Sequence, residues 1–371
     1  MHVGLMIYGS IETLTGGYLY DRKFVEFLAS QGDRAGVISL PRPERLSGAL
    51  ADNARPSLMR RVAGAPFDVL VQDELIHPST VLLNRRLTSR ARCPIVTIVH
   101  LLRSSERAVR LRRLSSAAER RYLAGVDGAV FNSETTRAAV ESLLGRRLPG
   151  VVAYPGCDHL AADASESEIA ARARADGALR VLSVANVLPG KGLHVLVDAL
   201  AHLPAGGWRL AVVGSLTMDR AYAGHLRGLI ERAGLRNNVD LVGAVPNSRV
   251  ADYLRDSHLL VVPSDYEALG IAYLEAMRFG LPVIATAAGG AGEIIGHGTE
   301  GFLVAPGDAA AITAHLRLLG EDREVLFRMG LAAQRRVARH PTWRESFEPV
   351  RRFLASLAET HRGQRSRETT P

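Results

Sequence analysis

The chain alternates strand-length apolar runs with amphipathic helical stretches, and it does so twice. In the first half, residues 3–8, 35–40, 67–71, 95–99 and 128–131 are apolar runs, and helical patterns fall at 18–29, 79–86, 115–123 and 135–144. The pattern restarts after residue 177, with strands predicted at 181–184, 210–213, 239–242, 259–262 and 282–285. Helices are predicted there at 193–203, 222–233 and about 270–279. Apolar strands that alternate with helices imply parallel sheets, because each crossover lays a helix on a sheet face. The predicted fold class is α/β, with two Rossmann-like domains whose parallel sheets face across a ligand cleft. Boundaries are predicted as a first domain over 1–160, a connector over 161–177, a second domain over 178–340, a C-terminal helix over 341–360 and a disordered tail over 361–371. The connector is acidic, alanine-rich and without strand signals.

The 371 residues, 47% hydrophobic and 23% charged, supply enough apolar material for two cores. No run of about 18 apolar residues predicts a transmembrane helix. Residues 1–10 lack a basic leading region and read as a first strand, not a signal peptide. Two cysteines, Cys93 and Cys157, cannot make a disulfide framework and lack CxxC spacing, which fits a reducing cytoplasm. The net charge of +8 invites a nucleic-acid reading. Lys23 and Lys191 are the only lysines, however, so the charge is an arginine bias spread over the chain. No zinc-finger, RNP or KH pattern accompanies it, and no nucleic-acid partner is expected.

The densest chemistry lies at 263–277. A strand ends at Pro263, a loop carries Glu267, Gly270 permits a turn, and a helix runs through Glu275. The first N–H groups of such a helix lack intrahelical partners and attract anions, so a diphosphate fits beside Ala268, Leu269, Gly270 and Ile271. An ordinary helix with an acidic start is the alternative. A second strand, 181–184, leads to Asn186 and to Lys191 between Gly190 and Gly192. In a chain that otherwise chooses arginine, this lysine suggests a compact ammonium beside phosphate; a solvent-facing turn lysine is the alternative. A third segment, 287–293, carries Gly289 and Gly290, which permit close approach of backbone to a ligand.

These segments, in this order and spacing, resemble the retaining glycosyltransferase family 4, whose members have the GT-B fold. Glu267 and Glu275 match its E-x7-E motif, and Gly289-Gly290 with Glu293 its GG-x-x-E segment. Gly298, Gly301, Phe302, Leu303 and Val304, with Gly307-Asp308, match a further G-x-x-G-F-L-V…G-D stretch. In the first half Gly16-Gly17 match the glycine loop under the donor phosphates, and His100 a histidine near the sugar; Asn132-Ser133 and 154–158 match looser positions. Two departures stand out: Asn186 occupies a place where the family commonly has arginine, and Gly190 one that is often basic.

The resemblance implies a nucleotide-sugar donor, UDP- or GDP-linked, as a substrate, with no cofactor and no metal. Glu267 would orient the sugar, Glu275 hold the ribose hydroxyls, and Lys191, Asn186 and the glycine loop bind the diphosphate. In the family the leaving phosphate takes the acceptor's proton on the same face, which gives retention. His100 would sit by sugar or acceptor; a satisfied strand-end histidine is the alternative.

The acceptor (sugar, lipid or small molecule) stays open, as does the oligomeric state. Arg103, Arg107, Arg110, Arg112, Arg113, Arg120 and Arg121, against Glu106 and Glu119, offer a peripheral contact with an anionic membrane. A solvated arginine-rich helix is the alternative. Rival functions are a GT-B hydrolase or epimerase and a non-catalytic partner. An NAD(P) oxidoreductase is poorly matched, because Gly9, Gly16 and Gly17 do not form G-x-G-x-x-G.

Overall fold

A computed structural model describes residues 1–43, 48, 51–53, 55–88, 93–105, 112–160 and 164–368. The chain forms two units, Met1–Pro155 with Pro341–Pro371, and Gly156–His340. The first begins with β1 (His2–Tyr8), α1 (Gly16–Ser30), β2 (Arg34–Leu40), α2 (Pro56–Gly64), β3 (Val69–Asp73) and α3 (His77–Thr88). It continues with β4 (Ile95–Val99), α4 (Arg112–Leu123), β5 (Gly128–Phe131), α5 (Glu134–Leu144) and β6 (Gly150–Val152). The sheet order is β2-β1-β3-β4-β5-β6, with every neighbouring pair parallel. β3, β4 and β5 are buried along their whole length, which is why they read as unbroken apolar runs. Connections leave β1 in opposite directions, so a crevice opens at the carboxyl ends of β1 and β3.

The second unit contains α6 (Glu166–Arg174), β7 (Leu179–Val184), α7 (Leu193–Ala201), β8 (Trp208–Val213), α8 (Arg220–Arg232), β9 (Val239–Gly243) and α9 (Asn247–Asp256). Then come β10 (Leu259–Val262), α10 (Ile271–Arg278), β11 (Val283–Thr286), β12 (Gly301–Val304), α11 (Ala309–Glu321) and α12 (Arg323–Val337). Its parallel sheet runs β12-β11-β10-β7-β8-β9, and the order reverses between β7 and β10. Its core packs Trp208, Leu210 and Val181 of the sheet against Leu196, Leu200 and Leu316 of the helices.

Several boundaries differ from the sequence expectation. β3 starts at Val69, two residues late, and the short, glycine-led strands β6 and β12 were not predicted. The helices α2, α9, α11 and α12 were also missed. The division falls after Pro155, not near 160. The expected connector is largely α6, closed by a Ser165–Glu168 capping box and buried through Ile169 and Ala173. Arg172 donates from it to the carbonyls of Phe279 and Gly280, at 2.6 and 3.0 Å, so α6 is part of the second unit. Residues 161–163 lie outside the described residues.

The C-terminal helix, α13 (Trp343–Glu368), belongs to the first unit and continues well into the expected tail; 369–371 lie outside the described residues. Phe347 packs its ring edge against Tyr20 and Phe24 of α1, and Arg351 donates to Asp33 at 2.6 Å. Of the arginine-rich segment, Glu106, Arg107 and Arg110 lie outside the described residues. Glu119 of α4 is buried, accepts from the Ser104 N–H at 3.3 Å and also interacts with Arg103. Among the described residues no helix is long and apolar enough to cross a membrane.

Candidate active site

In the second unit the sequence-predicted residues gather at the carboxyl ends of β7 and β10, where the strand order reverses and α/β sheets bind ligands. After β7 the chain makes a short 3-10 turn, Pro189–Lys191, and Gly192 takes φ 66° to start α7. A Cβ on Gly192 would sit 2.0 Å from the Pro263 carbonyl oxygen, so only glycine lets this loop lie against the end of β10. The Asp265 N–H donates to the Gly190 carbonyl at 2.9 Å and locks the two loops together. Lys191 Nζ is thereby held 2.6 Å from Glu267 Oε2, and Ser264 Oγ donates to the same oxygen at 3.2 Å. Both partners reach solvent, with Lys191 at 31% and Glu267 at 18% side-chain exposure.

The Glu267 backbone is gripped from the other side. Its N–H donates to Ala288 at 3.1 Å, and its carbonyl accepts from Gly290 at 2.9 Å. Added Cβ atoms on Gly289 and Gly290 would lie 1.9 Å from the Glu267 oxygen and 2.0 Å from the Ala268 oxygen. The close approach predicted for these glycines is therefore made to the glutamate loop of the protein itself. Of the later motif glycines, Gly301 acts in the same way, whereas Gly298 and Gly307 face open space and take φ 80° and 81°. A Cβ on Gly301 would strike the Val283 carbonyl, while Asp308 caps α11 through the Ala311 N–H.

Gly270, at φ 93°, begins α10 with no side-chain cap, so the first turn of that helix can serve a ligand anion. Ala268 and Leu269 are buried and bring only backbone groups to the loop before it. Glu275 lies within α10, 8% exposed, and accepts from His159 Nε2 at 2.9 Å. Asn186 Oδ1 accepts from the Ser215 N–H at 2.8 Å, a brace between the loops after β7 and β8. It brings no positive charge to replace the family arginine.

In the first unit, the loop after β1 ends at Thr15, whose hydroxyl caps α1, and Gly16 and Gly17 open that helix. His100 follows β4, and its ring is the nearest group to a Cβ added on Gly17, at 3.4 Å. His100 Nε2 donates to Asp21 Oδ1 at 3.1 Å. The His100 N–H donates to Glu74 Oε2 at 2.8 Å, and its carbonyl accepts from Asn132 Nδ2 at 2.8 Å. Burial opposes charge on the ring, yet the charge and hydrogen bond of Asp21, with Asp73 and Glu74 behind them, raise its pKa to about 10. Burial, then the charge of Asp21, lifts Asp73 to about 6; burial, then Asp73, holds Glu74 well above the usual carboxylate range. His100 is therefore an imidazolium at neutral pH.

Asp21, Asp73 and His100 also bring one ligand-type atom each within 4.8 Å of one another. The protonated ring is a counter-charge for those carboxylates. Sequence reasoning missed Asp21, Asp73, Glu74, Ser264 and His159. An acid pair ending an apolar strand at Asp73-Glu74, and an acid one turn after Gly16-Gly17, were the available signals.

Residues 165–336, nearly all of the second unit, match the family described as glycosyl transferases group 1. The amylovoran biosynthesis glycosyltransferase AmsK of Erwinia amylovora is 31% identical over 188 residues, 48% of this chain and 45% of that protein. The chain spans about half the length of the curated relatives it matches. Among solved structures, sucrose-phosphate synthase from Thermosynechococcus elongatus superposes with a TM-score of 0.78 at 19% identity, over 98% of this chain and 99% of that one. HepE from Anabaena, solved with UDP and glucose, gives a TM-score of 0.73 at 21% identity, over 96% and 99% of the two chains. The second unit thus matches the glycosyl transferases group 1, and the chain has the GT-B fold.

Proposed function

We propose that the chain transfers a sugar, with retention, from a UDP- or GDP-sugar to a hydroxyl acceptor. The observation that carries this reading is the Lys191–Glu267 pair, 2.6 Å apart, beside the uncapped start of α10 at the switch point of the second sheet. A bare carboxylate would repel a diphosphate; the ammonium neutralises it and is itself a phosphate ligand. When the anomeric bond breaks, negative charge grows on the departing diphosphate. Lys191 and the first N–H groups of α10 are preorganised to meet that charge. Glu267 then receives sugar hydroxyls, and Glu275 the ribose hydroxyls. The match to the group 1 family and the UDP bound by HepE support this assignment.

The phosphate that leaves serves as the base for the acceptor hydroxyl, by resemblance to family 4. The diphosphate is held by Lys191 and backbone groups, and the reading invokes no metal. His100 offers its ring to a sugar or acceptor hydroxyl.

The test is thermal unfolding against UDP, GDP, ADP, dTDP and NAD at millimolar concentration. A ligand at 100 times its Kd adds about 2.7 kcal/mol. Stabilisation by one nucleoside diphosphate and not by NAD supports the donor site and names the base. No response, or a response to NAD alone, refutes it. Glu267→Gln must then abolish transfer with the folded midpoint unchanged.

A further inference from the structure

Glu275 is a carboxylate on a helix whose residues Tyr273, Leu274, Ala276 and Met277 are all buried. Its own side chain is 10% exposed, and the His159 ring against it is 2% exposed. The contact runs from His159 Nε2 to Glu275 Oε1 at 2.9 Å. We propose that His159 is a positioning residue for the donor site, holding the Glu275 carboxylate in the orientation that receives both hydroxyls of a nucleotide ribose. This rests on the reading of Glu275 as the ribose ligand.

A cis-diol is recognised best when the two carboxylate oxygens stay in one fixed plane. A glutamate side chain has several rotatable bonds, and freezing them on binding costs affinity unless they are frozen beforehand. The imidazole N–H occupies one lone pair of Oε1. Each carboxylate oxygen has two, so both oxygens can still accept from the ligand. The backbone just before His159 is also held, because Arg278 of α10 donates to the Cys157 carbonyl at 2.7 Å. Glu275 and Arg278, three residues apart on one helix, thus grip the segment that carries His159. No family motif marks His159, and only the folded chain brings it to Glu275.

The experiment is calorimetric titration of wild type, His159→Ala and His159→Gln with UDP and with GDP, each beside its 2′,3′-dideoxy counterpart. For the nucleotide that wild type binds, His159→Ala weakens affinity roughly ten-fold or more. The dideoxy nucleotide binds wild type and variant equally, and His159→Gln, which retains an N–H donor, recovers most of the loss. Equal affinity of wild type and His159→Ala for the intact nucleotide overturns the proposal. So does equal weakening of intact and dideoxy nucleotides, the signature of a merely loosened fold. His159→Asn, too short to donate to the carboxylate, gives the same comparison if the alanine variant does not fold. If wild type binds neither UDP nor GDP, the donor reading itself falls, and the positioning role with it.

Discussion

Asp21→Asn is the sharpest perturbation of the first unit. The substitution keeps the size of the side chain and an oxygen that can accept from His100 Nε2, but removes the charge 3.1 Å from the ring. In the folded protein His100 titrates at about 10, against an ordinary value near 6.5. That difference corresponds to about 5 kcal/mol in favour of the protonated ring. Because the folded value lies above the unfolded one, this stability is complete below about pH 6.5 and is lost as pH rises through about 10. A neighbouring opposite charge typically accounts for about 1–3 pH units, so His100 in the variant should titrate between about 7 and 9. Asp73 should move in the same direction, below its value of about 6, because the Asp21 charge is a named cause of its rise.

Ring-nitrogen NMR of histidine, followed from pH 5 to pH 11 with His100→Gln as the assignment control, reads both proteins directly. Denaturation at pH 7 and pH 9.5 gives the second readout, in which wild type loses more stability with pH than the variant. A wild-type His100 titrating near 6.5, or a resonance that Asp21→Asn leaves in place, would falsify the account of this cluster.

Other perturbations test the second unit and the frame. Lys191→Ala removes the proposed phosphate ligand and leaves Glu267 without its ammonium partner, so kcat for transfer should fall about 100-fold or more; Lys191→Arg should recover little, and a fully active arginine variant would show that any cation suffices. Gly289→Ala places a Cβ 1.9 Å from the Glu267 oxygen and must push that loop away, costing about 100-fold in kcat for a shift near 1 Å. Wild-type rates in that variant would remove the glycine pair from the positioning of Glu267. Arg351→Ala breaks the contact with Asp33, whose buried carboxyl is held below its usual value by Arg351 and the N-terminal ammonium in spite of burial. A depressed carboxyl stabilises above its unfolded pKa and loses that contribution as pH falls through the folded value. Urea titrations should therefore show a gap of about 1 kcal/mol between wild type and variant at pH 7 that closes toward pH 3; a gap of the same size at both refutes the assignment.

The two sheets were legible because central strands such as β3, β4, β10 and β11 are buried on both faces and so read as apolar runs. β6 and β12 were not, since three or four residues led by a glycine leave no periodicity to count. The ordered motifs located Lys191, Glu267 and Gly270, because each sits in or beside a turn that ends a strand or starts a helix, and Glu275 by its spacing from Glu267. What the motifs could not give was the reason for each glycine. Gly192, Gly289 and Gly290 are dictated by carbonyls of other loops, a tertiary constraint invisible along the chain. His159 was hidden for the same reason, 116 residues from its partner.

Charge separates what the two switch points can hold. At the second, Glu267 is neutralised by Lys191, Glu275 is hydrogen-bonded to His159, and the helix beyond Gly270 starts without a side-chain cap. An ammonium and a helix N-terminus stand together there, which is what the proposed polyanionic ligand needs. At the first, an imidazolium is enclosed by Asp21, Asp73 and Glu74, so the net charge of the cluster is not positive even though the ring is cationic. Such a ring is a poor magnet for phosphate at a distance and a good short-range donor to a neutral hydroxyl. The proposed roles follow this chemistry: diphosphate and ribose on the Lys191 side, sugar or acceptor hydroxyl at His100. The family resemblance already implied that division; the three buried carboxylates, which no motif contains, add a physical reason for it.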